Sequence, residues 1–317
     1  MADTTLQTRM PPEDWQRLLR QAAIIYDLDG VVVDVRATYR QAYLRGIESY
    51  FRLDLGLPRP PLRLAAVHLL KRHRGFNDPA EVTAILLRLL LRAHLEGRAA
   101  DSRWTEHWIA AALSDGRLDD WRPAALAGLE PAQQAWVTER ENLDAALALV
   151  REQYVGSAAV AQVFGTRPRL RVLGLARRDR RLADPRAAET RPIGVYSGRT
   201  FAEIQWIIQK FERFSSLTRA GTRAAIEAVD TGAHKPDGAP LLRLAERLGR
   251  DVVLYIGDLQ ADRLALLDAR RRDPQRTWLL GQVLAGPRAA AWAEADAVAQ
   301  TVDDLIAGPA CVDKFDM

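Results

Sequence analysis

Asp27-Leu28-Asp29-Gly30 sets two carboxylates one residue apart at the end of an apolar run, Ile24-Ile25-Tyr26. Carboxylates so placed repel one another, and the arrangement costs energy unless a cation joins them. If the apolar run is a buried strand, Asp27 lies at its carboxyl end, where open α/β sheets bind their ligands. Gly30 would let the backbone turn sharply there. Three further positions have the same character. Ser197 follows the apolar run Ile193–Tyr196, in Tyr-Ser-Gly-Arg-Thr. Lys235 stands in Ala-His-Lys-Pro-Asp-Gly, just before a helix. Asp258 follows Val252–Ile256, in Ile-Gly-Asp-Leu-Gln-Ala-Asp, with Asp262 four residues on. Taken singly, these are an acidic turn, a serine turn, a solvated Lys-Pro loop and a helix cap. In combination, each at a strand end or helix start, they outline the rim of one ligand site.

Positioning them requires a parallel sheet. Ala23–Tyr26 is short and wholly apolar, as a strand buried on both faces should be. From Pro192 onward, strands and helices alternate. Strands are expected at Ile193–Tyr196, Ala225–Val229, Val252–Ile256 and Trp278–Leu280. Helices are expected at Thr200–Phe211, Ala239–Leu248, Gln260–Arg271 and Val302–Ile306. Such alternation implies parallel strands joined by crossover helices. Between Val35 and Thr190 the period changes. Apolar residues recur at helical spacing in Thr38–Leu53, Glu81–Leu95, Trp104–Leu113 and Pro131–Val150, with Asp78-Pro79 as a helix start. Arg177–Arg191, charged and proline-containing, reads as a linker, and the residues before Trp15 as a loose arm. The chain is therefore expected to be an α/β protein with a Rossmann-like parallel core, residues 1–34 and 191–317, into which a large all-helical module, residues 35–190, is inserted.

Composition narrows the class. The chain has 317 residues and one cysteine, so it can bury a sizeable core but forms no internal disulfide. Neither a secretory signal nor a bilayer-spanning stretch is evident, and a cytoplasmic protein is expected. Net charge is only +4, with 45 basic residues interspersed among 41 acids, and no nucleic-acid-binding signature accompanies them.

With these motifs in this order, the chain resembles the haloacid dehalogenase superfamily: Asp27-Leu28-Asp29-Gly30-Val31, then Ser197, then Lys235, then Gly257-Asp258 with Asp262. The resemblance covers the first strand and the chain from about Pro192. It implies a Mg²⁺-dependent phosphatase acting on a small phosphomonoester. Asp27 would be the nucleophile and become an aspartyl-phosphate. Asp29 would be the general acid and base. Ser197 and the backbone beside it, Gly198 included, would bind a phosphoryl oxygen, and Lys235 would offset the crowded charge. Asp27, Asp258 and the Asp29 carbonyl would hold Mg²⁺, with Asp262 either ligating through water or orienting Asp258. Four carboxylates and a phosphate dianion exceed what one lysine can balance, which makes the divalent ion necessary.

The helical insertion would be the family's cap, with Arg36, Arg40, Arg74 and Asn77 as substrate contacts. The expected partner is a small phosphorylated metabolite, with neither nucleic acid nor membrane. Asp29 argues against the dehalogenases, which lack that second aspartate. A phosphonatase would need a cap lysine, and Lys71 is the only one in the insertion. A phosphomutase would use the same core. A catalytically idle binding protein would more often have lost one of the motif residues.

Overall fold

The computed structural model describes residues 6–60, 62–71, 78–183, 191–210, 225–232, 234–284 and 290–307. The chain divides into two compact units. One comprises Met1–Asp34 with Arg180–Met317, the other Val35–Asp179.

In the first unit the strands are β1 (Gln7–Thr8), β2 (Ala23–Tyr26), β3 (Val33–Asp34), β4 (Arg180–Arg181), β5 (Ile193–Tyr196), β6 (Ala225–Glu227), β7 (Val252–Gly257), β8 (Thr277–Val283) and β9 (Ala297–Ala299). Seven form one sheet in the order β1-β9-β8-β7-β2-β5-β6. Every pairing in it is parallel except β1 with β9. The strand carrying Asp27 thus lies in the interior of the sheet, between β5 and β7. Its four residues are all buried. Ile24 and Ile25, each worth about 1.5–3 kcal/mol on burial, offset the cost of ending the strand on a buried carboxylate.

Helices Ala239–Leu248 and Gln260–Arg272 pack Leu241, Leu244, Leu248, Ala265 and Leu266 into a cluster with Ile25, Tyr196, Val253 and Tyr255. Trp15, on the helix Pro12–Gln21, is fully buried, and its indole N–H donates to the Leu305 carbonyl.

The sheet holds more of the chain than the apolar runs indicated. Gln7–Thr8, expected in a loose arm, is an antiparallel edge strand. β9, Ala297–Ala299, carries no strong strand signal, and β8 runs three residues past Leu280. β6 is shorter than expected, giving way to a 3₁₀ turn at Val229–Thr231. The stretch read as a linker, Arg177–Arg191, begins inside a 3₁₀ turn, Leu175–Arg178, and goes on into β4, which pairs antiparallel with β3.

The second unit is helical. Its longer helices are Arg36–Leu53, Leu64–Lys71, Pro79–Leu95, Trp104–Ser114, Pro131–Arg140 and Leu143–Val155. Asp78 caps its helix as expected, its side chain accepting from the Ala80 N–H at 2.8 Å, with Pro79 in the first turn. The helix expected over Pro131–Val150 is two. The chain breaks at Glu141–Asn142, where Asn142 caps the second helix, and Tyr50 stitches the break by donating to the Arg140 carbonyl and accepting from the Asn142 N–H. Gly46 lets the first helix press onto Leu143–Val155: a Cβ there would meet the Val150 backbone. Asp179 joins the end of this unit to its beginning, accepting from the Thr38 hydroxyl at 2.5 Å and the Tyr154 hydroxyl at 2.7 Å. Among the described residues, no helix is long and apolar enough to cross a membrane.

Candidate active site

Three adjacent parallel strands deliver the motif residues to one edge of the sheet. Tyr26 is in register with Val195 on one side and Ile256 on the other. Asp27, Ser197 and Asp258 therefore follow the carboxyl ends of β2, β5 and β7. The ladder continues one step further, with the Asp27 N–H donating to the Ile256 carbonyl at 2.8 Å. Beyond Asp27 the chain closes on itself: Gly30 N–H donates to the Val33 carbonyl at 2.8 Å. Gly30 has φ +83°, and a Cβ on it would collide with the Asp258 carboxylate. Only glycine permits both the turn and that close approach.

Asp27 is 4 % exposed. Lys235 Nζ bridges it and Asp262, at 2.7 Å from Asp27 Oδ1 and 2.5 Å from Asp262 Oδ1. The same ammonium lies 5.1 Å from the centre of the Tyr196 ring and 5.7 Å from that of Tyr255. Burial pushes the Asp27 carboxyl up to about 7, with Lys235 opposing the shift and Asp262 and Asp29 adding to it. For Lys235, burial alone would depress the ammonium, but Asp262 and Asp27 outweigh it and its pKa is raised. The lysine is thus a permanent cation that the surrounding carboxylates exceed in number.

Carboxylate oxygens of Asp27, Asp258 and Asp262 lie within 4.8 Å of one another, a hard-oxygen donor set of the kind that divalent cations take. They differ in what already holds them. Asp262, fully buried, accepts from the Tyr255 hydroxyl at 2.6 Å and from Lys235 through Oδ1, and from the Leu259 N–H at 3.0 Å through Oδ2. Its carboxylate is engaged on both oxygens, a positioning arrangement for Lys235. Tyr255, raised by burial and by the nearby Asp262 and Asp27, stays a neutral donor.

Ser197 is buried. Its N–H donates to the Glu227 carbonyl at 3.1 Å, and its Oγ accepts from the Arg199 N–H at 3.3 Å, so Gly198 lies in a tight turn. Asp29 has a side chain 37 % exposed, and both its oxygens accept from Arg199 Nε, at 2.9 and 3.0 Å. Arg199 is itself buried and pairs with Glu203. Sequence reasoning missed Arg199 and Glu203, although the signal was present: Thr200-x-x-Glu203 is a capping-box pattern, and the structure forms it. Thr200 N–H donates to Glu203 Oε2 at 3.0 Å, and Glu203 N–H to Thr200 Oγ1 at 3.3 Å. Tyr255 gave no signal, because a strand tyrosine reads as core.

In the helical unit, Arg36 begins the helix Arg36–Leu53, and Arg40 follows one turn later, both half-buried. Arg40 Nη1 is 2.6 Å from the ring Nδ1 of His68. Lys71 lies 5.8 Å from the Tyr43 ring centre. Arg74 and Asn77 lie outside the described residues.

No protein-family model matches the chain, and no curated protein sequence does. Solved structures do. A phosphatase from Thermococcus thioreducens is similar with a TM-score of 0.51 at 20 % identity, over 84 % of this chain and 93 % of that one. A HAD-superfamily hydrolase of subfamily IA from Geobacter sulfurreducens is similar with a TM-score of 0.44 at 18 % identity, over 90 % of this chain and 95 % of that one. At such identities the likeness is one of fold: the chain has a haloacid dehalogenase-like α/β fold with a helical unit.

Proposed function

We propose that this chain is a metal-dependent phosphatase that hydrolyses small phosphomonoesters through an aspartyl-phosphate on Asp27. The observation that carries the reading is the buried cluster at the end of β2: Asp27 held at 2.7 Å by Lys235, with Asp258 and Asp262 carboxylates beside it. Fold does not imply function, but this cluster supplies the chemistry. An Asp27 carboxylate oxygen attacks phosphorus as the bond to the leaving oxygen breaks, and Asp29 gives that oxygen its proton. The Asp29 carboxylate then takes a proton from a water whose oxygen attacks the same phosphorus, and the bond to Asp27 breaks. Ser197 and the Gly198 turn offer donors to the phosphoryl oxygens, and Lys235 offsets their charge.

The Asp27 and Asp258 carboxylates suit a hard divalent cation and, with the Asp29 carbonyl, would hold Mg²⁺ in this reading, while Asp262 holds Lys235. When bound, such an ion neutralises phosphoryl charge and favours the ionised form of Asp27. The nearby fold of a phosphatase supports the class of reaction. The helical unit is proposed to be the cap that selects the substrate.

The test is turnover of a generic aryl phosphate with Mg²⁺, with excess chelator, and with Asp27→Asn. Hydrolysis is expected only for the unmodified chain with the metal. Activity that survives exhaustive chelation, or in Asp27→Asn, would sink the proposal.

A further inference from the structure

The Asp29–Arg199 pair is built more heavily than a turn requires. Both oxygens of Asp29 rest on one guanidinium nitrogen, Nε of Arg199. The other end of that guanidinium meets Glu203 through Nη1 at 3.4 Å, and both side chains are only 3 % exposed. Glu203 is in turn fixed through Oε2 by the Thr200 N–H and hydroxyl, at 3.0 and 3.1 Å. The Arg199 backbone is held too. Its N–H donates to Ser197 Oγ, and its carbonyl accepts from the Val229 N–H at 3.0 Å. A buried charge persists where it is paired and hydrogen-bonded, and here the pairing ends on a carboxylate at the solvent-facing side of the site.

We infer that Arg199 is the positioning residue of Asp29, and that it thereby equips the site for esters of aliphatic alcohols. This rests on the phosphatase reading given above. Expelling an alkoxide demands a proton in the transition state, whereas a nitrophenolate leaves without one. A half-exposed aspartate free to rotate is a poor proton donor; one fixed from behind is preorganised. Arg199 is a donor only, so it holds either the ionised carboxylate or the carbonyl oxygen of its protonated form. The Ser197–Arg199 turn proposed to bind the phosphoryl oxygens is closed by the Arg199 main chain, so a substitution of the side chain removes the hold on Asp29 and keeps the bonds of that turn.

The experiment compares a simple alkyl monoester, glycerol phosphate, with p-nitrophenyl phosphate, in Arg199→Gln, Asp29→Asn and the double variant. In Arg199→Gln, kcat for the alkyl ester should fall by about 10²-fold, KM changing little, while the nitrophenyl ester loses less than about threefold in its first turnover. The double variant should be no slower on the alkyl ester than Asp29→Asn alone, since a residue acting through Asp29 has nothing left to position. If Arg199→Gln does not fold, Arg199→Lys keeps a cation against Glu203 while losing the planar fork, and is held to the same two criteria. Equal losses on both esters, or losses that add in the double variant, overturn the inference while leaving the phosphatase reading intact. Absence of turnover of either ester by the unmodified chain overturns that reading, and the inference with it.

Discussion

At the scale of single residues, the site is governed by an excess of negative charge around one lysine. Lys235 is buried between Asp27, Asp262 and two tyrosine rings, so under the proposed function it would serve both stability and chemistry. Lys235→Met would leave two buried carboxylates without their cation. Breaking a buried pair in this way costs about 3–5 kcal/mol, and losing an oxyanion-type donor costs about 10²–10³ in kcat. Both a lowered Tm and a lowered kcat are therefore expected, from a thermal scan and steady-state kinetics on one preparation. Native values of either would show that Lys235 is a spectator in that respect.

The residue types were legible from the chain because they sit in short motifs after apolar runs. The division of labour among the carboxylates was not. Asp262 is separated from Asp258 by three residues and looks like another ligand; only the bonds from Tyr255 and Lys235 to Oδ1, with that from the Leu259 N–H to Oδ2, show both oxygens engaged.

At the scale of elements, strands and helices were readable where their apolar period is long and their caps are local. β2, β5 and β7 are of this kind, and so is the helix capped by Asp78. Elements defined by a distant partner were not. β1 and β4 are two residues each and exist through pairing with β9 and β3, information that no local window contains. The break at Glu141–Asn142 likewise depends on Tyr50, some ninety positions away.

The tightest element is the turn after β2. Gly30→Ala would impose a side chain at φ +83° and against Asp258. The conformational cost alone is about 1–2 kcal/mol. Displacing Asp258 should also raise the Mg²⁺ concentration for half-maximal turnover by roughly 10–100-fold, the range seen when support of a metal ligand is lost. A metal titration of the variant measures this, and an unchanged midpoint would separate Asp258 from metal binding.

At the scale of the whole molecule, the chain falls into an α/β unit and a helical unit, with the return at Arg180 rather than near Pro192. Composition misled there. Arg177–Arg191 looks like a solvated linker, yet its first part belongs to folded structure on both sides of the boundary. If the helical unit selects the substrate, its basic residues should matter for the true substrate and not for a small generic ester. Arg40→Ala, which also removes the contact with His68, should lower kcat/KM for the physiological ester by about tenfold, the worth of one hydrogen bond to a charged group, and leave nitrophenyl phosphate almost unaffected. A panel of phosphorylated metabolites assayed with both proteins decides the matter. Equal effects throughout would remove Arg40 from substrate recognition.

The ribbon formed by β3 and β4 has a consequence for how such a chain can change. Val33 pairs with Arg181, and Asp34 with Arg180, so the outgoing and returning strands leave the α/β unit side by side. Neighbouring strands lie about 5 Å apart, a gap that a two-residue hairpin turn spans. The 145 residues between them, Val35–Asp179, therefore occupy a socket. Whatever is plugged in there can be lengthened, shortened or exchanged without shifting the register of a single strand in the sheet behind it.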